Sequence, residues 1–211
     1  RNNRVKAYEA SEAARDGRGM HVANMLSLPS DESVAQVLAI DSFEQMPYLV
    51  LATRSGLVKK TRLTAYDTRL SGGIKAIVLH EDDEVISASL IEEREDVMLV
   101  SRGGNSVRFT ADAAAMRPMG RVTAGVQGIR LRPGDELLAA EIVRPDTYLV
   151  TVTDGGFAKR TPVSDWMAKG RNTYGVRAMR LVSARGALVG ALICEEADQL
   201  FAIASNGVVI R

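Results

Sequence analysis

Along this chain the apolar residues come in short bursts, each closed by a polar or glycine-containing stretch. Between Ile74 and Thr110 the bursts are "IKAIVL", "EVISASLI", "DVMLV" and "SVRFT", separated by "HEDD", "EERE" and "SRGGN". Segments of this length, evenly spaced and bounded by turn signals, predict an all-β unit of four strands. The Gly-Gly, Ser-Gly and Asn-Gly pairs that separate the last two strands of successive units suit hairpin turns, whose backbones require positive φ. Helical character is confined to "EASEAAR" (residues 9–15) and "ADAAAM" (residues 111–116), both in the connection that follows a hairpin.

The pattern returns. "TRSGLVKKT" around Gly56 is echoed by "SRGGNSVRFT" around Gly104, "TDGGFAKRT" around Gly156 and "ASNGVVIR" around Gly207, at spacings of 48, 52 and 51 residues. Four positions after each glycine stands a cation: Lys60, Arg108, Arg160 and Arg211, with Lys6 in the same slot 54 residues before Lys60. A second phrase keeps phase with the first, as "GGIKAIVL" at Gly72, "AGVQGIRL" at Ala124, "YGVRAMRL" at Tyr174 and, more loosely, "GMHVANML" at Gly19. A period near 50 residues with four strands per period is the signature of propeller blades. The expected architecture is a single propeller-like domain over residues 1–211, with about four units near 6–60, 60–108, 108–160 and 160–211. The chain opens and closes on the same strand of the unit, so it reads as a piece of a larger disc.

At 211 residues and 46% hydrophobic content the chain is long enough for a sizeable core. It has no run approaching the ~18 apolar residues of a membrane span and no apolar signal core at "RNNRVKAYEA", which predicts a soluble cytoplasmic protein with no membrane partner. Cys194 is alone, so neither a disulfide framework nor a thiolate metal cluster is expected, and the residue reads as a buried thiol.

Net charge is only +1, but its distribution is uneven. Residues 54–75, 102–130 and 154–180 together hold 17 cations and 4 anions, leaving 10 cations and 22 anions for the remainder. Acids gather instead in turns such as "EDDE" at Glu81 and "EERED" at Glu92. If the units surround an axis, equivalent positions share a rim, and a basic rim is a surface a long polyanion could follow. Arg69, Arg121 and Arg171 each stand four residues before a glycine of the second phrase (Gly73, Gly125, Gly175). Arginine in a glycine-rich loop can hold a phosphate bidentately. The alternative is that these arginines cap neighbouring strands or pair with acids of the next blade. The candidate polyanion contacts are Lys59, Lys60, Arg62, Arg69, Lys75, Arg108, Arg121, Arg130, Lys159, Arg160, Lys169, Arg171 and Arg177.

These phrases, with "YLVLATRSGLVKKTRL", "LVSRGGNSVRF", "RPMGRVTAGVQGIRL" and "LFAIASNGVVIR", resemble the C-terminal domain of the DNA gyrase A protein over essentially the whole chain. The resemblance implies a β-pinwheel whose basic rim wraps duplex DNA without reading its sequence. It also implies a nucleoid-associated parent enzyme, completed by the rest of the gyrase A polypeptide and by the gyrase B protein, that uses ATP and Mg to supercoil DNA. The family's Q-R-R-G-G-K-G box is absent as written. Its nearest echo is Lys169, Gly170, Arg171, Asn172, Thr173, Tyr174 and Gly175, in which Asn172 and Thr173 replace the central glycines. The related C-terminal domain of topoisomerase IV is the alternative within the same class, and a protein-protein scaffold is the alternative outside it.

Nothing in the segment reads as catalytic. There is no phosphate-binding P-loop and no G-x-S-x-G elbow, and no metal or cofactor is expected here. His21 and His80 fall at unrelated positions of their units, Asp82 and Asp83 read as solvated turn charge, and Trp166 reads as a packing anchor rather than a base-stacking platform.

Overall fold

The computed structural model describes residues 1–26, 28, 32–70, 72–203 and 209–210. Numbered along the chain, the strands are β1 (Tyr48–Thr53), β2 (Leu57–Arg62), β3 (Val85–Ile91), β4 (Asp96–Ser101), β5 (Asn105–Thr110), β6 (Val126–Gln127) and β7 (Leu137–Val143). They continue as β8 (Tyr148–Thr153), β9 (Ala158–Pro162), β10 (Val176–Arg177), β11 (Leu188–Cys194), β12 (Ala202–Ile203) and β13 (Val209–Ile210). All their pairings are antiparallel.

The hairpins β1–β2, β4–β5 and β8–β9 are the repeated frame. Their turns place Gly56, Gly104 and Gly156 at φ of 85°, 82° and 79°, a left-handed conformation that L side chains resist. This is why glycine recurs at the anchor of each unit. Gly207 and Arg211, the fourth anchor and its cation, lie outside the described residues.

Sheet order shows how units are linked. The sheets run β3-β1-β2-β6 and β7-β4-β5-β10, followed by β11-β8-β9 and the pair β12-β13. In the first two, the inner strand follows its own hairpin along the chain, whereas the outer strand comes from the next unit. The inner strands β3, β7 and β11 pack successively on one another, so they surround the centre and the β6 and β10 edges face outward.

Because a blade is covered on both faces, the first strand of each hairpin is largely apolar. All six residues of β1 are buried. Tyr48, Val50 and Ala52 pack with Val97, Leu99 and Phe109 of the next blade, while Leu49 and Leu51 pack on the other face with Leu63, Tyr66, Ala76 and Ile77. On β4 the two sets are Val97 with Leu99, and Met98 with Val100; the latter meet Leu149, Val163 and Trp166 of the third blade. Trp166 is a packing anchor, and Cys194 is a buried free thiol.

Two local expectations are corrected. "EASEAAR" is not helical: one 3-10 turn spans Ala7–Glu9 and the rest is irregular, and "ADAAAM" is a single turn held by the Asp112 carboxylate, which accepts from the Ala114 and Ala115 amides at 3.0 and 2.8 Å. "IKAIVL" is not a full strand either. Only Ile74 bridges to Asn2, and its counterparts β6 and β10 are just two residues long, because each segment leaves the ladder to bury its following residues, Ala76 and Ile77 in the first case, between blades.

Candidate nucleic-acid interface

The repeated cations divide into two populations. The first is internal. Lys59 and Lys60 are fully buried. The Lys59 ammonium donates to the Ala76 carbonyl at 2.7 Å and to that of Arg121, and burial, with the Arg121 guanidinium adding to it, pushes Lys59 down to about 8. Lys159 repeats the contact from an exposed strand, donating to the Ala178 carbonyl at 2.8 Å.

Lys60 donates to the Ala111 carbonyl, lies 4.6 Å from the Tyr48 ring centroid and 3.6 Å from the Glu93 carboxylate. Burial lowers its affinity for a proton and Glu93 opposes that shift. Arg108, its counterpart one unit on, donates to the carbonyls of Val163 at 2.7 Å and Trp166 at 3.0 Å and pairs with Asp96 at 2.7 Å. Ala111 and Val163 each lie seven residues after the anchor glycine of the following unit, so this cation slot is a strut from one blade to the next. Arg160 holds the third such slot but stays exposed, 4.5 Å above the Tyr148 ring and 3.3 Å from Glu196.

The arginines before the second phrase behave similarly. Arg121 donates to the Lys75 carbonyl at 3.2 Å, and Arg171 makes the same contact one unit later with Gln127 at 3.0 Å, adding Ala115 at 2.6 Å. Arg69 is exposed and has no such contact among the described residues. For Arg121 and Arg171 the capping alternative therefore accounts for the guanidinium. The anion-binding candidacy of Lys59, Lys60, Arg108 and Arg171 meets one physical obstacle: their charged ends already face carbonyl and carboxylate oxygens inside the fold, and an unpaired buried charge would be costly, whereas the single carbonyl bond of Arg121 is made at an exposed position.

The second population is exposed: Arg62, Arg69, Lys75, Arg130, Lys169 and Arg177, the last on the outer strand β10. Arg117 and Arg180 join them and were not singled out from the sequence. Glu92, Glu93 and Glu95 lie in the turn leaving the inner strand β3, where Glu93 is beside Lys60 and Arg62, and Asp83 closes the β1–β2 turn by accepting from the Ser55 amide at 2.9 Å and hydroxyl at 2.6 Å. His21 accepts from the Ala23 amide through Nδ1.

The degenerate box is a strap over the second hairpin. The Lys169 amide donates to the Arg108 carbonyl at 2.8 Å and the Asn172 amide, at φ 62°, to Gly128 at 2.6 Å. Thr173 bridges Ile129 and accepts from the Arg130 amide at 2.8 Å; Tyr174 lies 5.3 Å under the Arg132 guanidinium; and Gly175 presses on the Ser106 carbonyl, leaving no room for a Cβ. Lys169 and Gly170 stay exposed at its tip.

Comparison with known proteins fits this architecture. The model of the DNA gyrase C-terminal domain, beta-propeller, matches residues 4–41, 47–92, 95–144 and 147–195. The DNA gyrase A protein of Streptomyces coelicolor is 51% identical over 213 residues, covering 99% of this chain and 25% of that protein. Among solved structures, the C-terminal domain of DNA topoisomerase IV aligns with TM-score 0.82 at 26% identity over 91% of this chain and 60% of its own. The DNA gyrase A C-terminal domain aligns with TM-score 0.79 at 23% identity over 98% and 66%. The chain thus spans only a quarter of the length of its curated relative, and it belongs to the DNA gyrase C-terminal domain family.

Proposed function

We propose that this chain binds duplex DNA along its outer edge and wraps it, as the C-terminal part of a gyrase A protein. The observation that carries the reading is the separation of cations. Of the cations on repeated slots, Lys59, Lys60, Arg108 and Arg171 are absorbed by the fold, while Arg69, Lys75, Arg130, Lys169 and Arg177, together with Arg62, remain exposed, Arg177 on the outer strand β10 itself. A protein-protein scaffold has no need to keep such charge on one edge from blade to blade. Within the gyrase and topoisomerase IV class, 51% identity to a gyrase A protein favours gyrase.

The rest of the gyrase A polypeptide, the gyrase B protein, ATP and Mg belong to the whole enzyme under this reading, and the protein works on the nucleoid in the cytoplasm. No described helix is long and apolar enough to cross a membrane. Phosphate contacts position a duplex without reading its bases, and no element among the described residues is shaped to enter a major groove as a recognition helix. Competition between unrelated duplexes of equal length should therefore show differences of severalfold at most. A hundredfold preference would replace the reading with a sequence-specific one.

A further inference from the structure

The repeat makes it possible to see which cations the scaffold does not require. Where the second hairpin meets the third unit, Arg102, Arg132, Arg177 and Arg180 line one cleft of about 830 Å³, with Asp135 as its acid. The corresponding place between the first hairpin and the second unit is less basic. There Gln127 faces Leu57 across the outer ladder, whereas here Arg177 faces Asn105. Arg130, the counterpart of Arg180, is bound to the Asn172 side chain at 3.0 Å.

The acids near the cleft are already engaged. The Asp135 carboxylate accepts from the amides of Gly103 at 2.7 Å and Glu136 at 2.9 Å, and Arg102 pairs with Glu136 at 2.7 Å. Arg132 lies over the Tyr174 ring, 5.3 Å from its centroid. Arg177 and Arg180 are exposed, and among the described residues no carboxylate or carbonyl receives either guanidinium. Two unengaged guanidinium groups beside a third, ring-stacked one in an open cleft match a ligand with several anionic oxygens.

We propose that this cleft is a phosphate-binding station, with Arg177 and Arg180 as its principal contacts, where a DNA backbone crosses from the second blade to the third. The proposal rests on the DNA-binding reading for the source of the phosphate, while the chemistry of the cleft does not depend on it.

The test uses the 211-residue chain, a fluorescent duplex and inorganic pyrophosphate. In anisotropy titrations over several salt concentrations, R177Q/R180Q should reduce the log-log salt slope by about 1.8, that is, by about 0.9 for each lost phosphate contact. R177K/R180K should restore most of it. R94Q/R144Q removes the same charge from turns beside the inner strands and should leave the slope unchanged. A slope in R177Q/R180Q equal to that of wild type or to that of R94Q/R144Q overturns the station on the DNA path. In the second arm, phosphorus NMR follows pyrophosphate. If the wild-type chain broadens its signal, R177Q/R180Q does not, and the duplex is not bound, the phosphate site stands and the DNA reading falls. If neither ligand depends on these arginines, the proposal fails entirely.

Discussion

The Arg108 guanidinium donates to the Val163 carbonyl at 2.7 Å across 55 residues of sequence, and Lys60 makes the equivalent bond to Ala111. The blades are thus riveted in series through cations that a charge count would assign to the surface. Arg108→Gln should cost about 2–3 kcal/mol, because two carbonyls and the Asp96 carboxylate lose a charged donor together. Arg177→Gln, on the exposed edge, should stay within about 0.5 kcal/mol. Urea denaturation of both variants checks the contrast; equal destabilisation would remove the distinction between strut and surface cations.

Arg69, Arg121 and Arg171 occupy one repeated slot but should not respond alike. Arg171→Ala should lower stability by about 1–2 kcal/mol through its two lost carbonyl bonds and leave the DNA salt slope nearly unchanged. Arg69→Ala should leave stability alone and reduce the slope by about 0.9. Thermal melts with anisotropy titrations read both quantities, and a slope change in folded Arg171→Ala would return that residue to the DNA path.

Gly104 and Gly156 share a turn conformation but not a neighbour. At Gly104 an added Cβ would meet the Met179 carbonyl at 2.7 Å, whereas at Gly156 it would meet nothing within 4 Å. Gly156→Ala should cost about 1 kcal/mol, the strain of positive φ alone, and Gly104→Ala about 1–2 kcal/mol more. Denaturant midpoints of the two variants isolate the contribution of the neighbouring unit.

Lys59 gives a pH dependence with a definite sign. Its ammonium loses its proton near 8 in the folded chain and near 10.5 when exposed to water. Below about 8 both states carry the charge, and the fold bears the cost of burying it. Between about 8 and 10.5 the unfolded chain holds more protons, so stability gains from this group as pH rises. The neutral amine still has two N–H groups for the carbonyls of Ala76 and Arg121. The urea midpoint of wild type minus that of Lys59→Met should therefore rise from about pH 7.5 to about pH 10, whichever of the two is the more stable at the start. A constant difference would mean that the amine titrates in the ordinary lysine range.

The blade frame was legible because its determinants are written in side chains. Glycine is required at Gly56, Gly104 and Gly156 by φ, and the uninterrupted apolar run of β1 reflects burial on both faces. The fate of the repeated cations was not legible. The groups that absorb Lys60, Arg108 and Arg171 are main-chain carbonyls, which every residue type carries and no spacing reveals. The apolar run at Ile74 misled for a related reason, since burial between blades and burial within a ladder select the same residues. Arg180 escaped notice because it repeats only once, as Arg130, and repetition marked the scaffold more strongly than the exposed surface.

The loan of an outer strand from each unit to the hairpin before it has a consequence for how such chains can change in length. The amides of Met119 and Lys169 meet the carbonyls of Lys60 and Arg108 in the same way, so the junction between neighbours is interchangeable. Unequal recombination between the coding stretches for Gly56 and Gly104 would excise 48 residues and still present each lender with a borrower of the right shape. A break out of phase would deliver an outer strand to a turn with no glycine to receive it. A gain or loss of one whole period would therefore leave each of the two described hairpins with an outer strand to borrow.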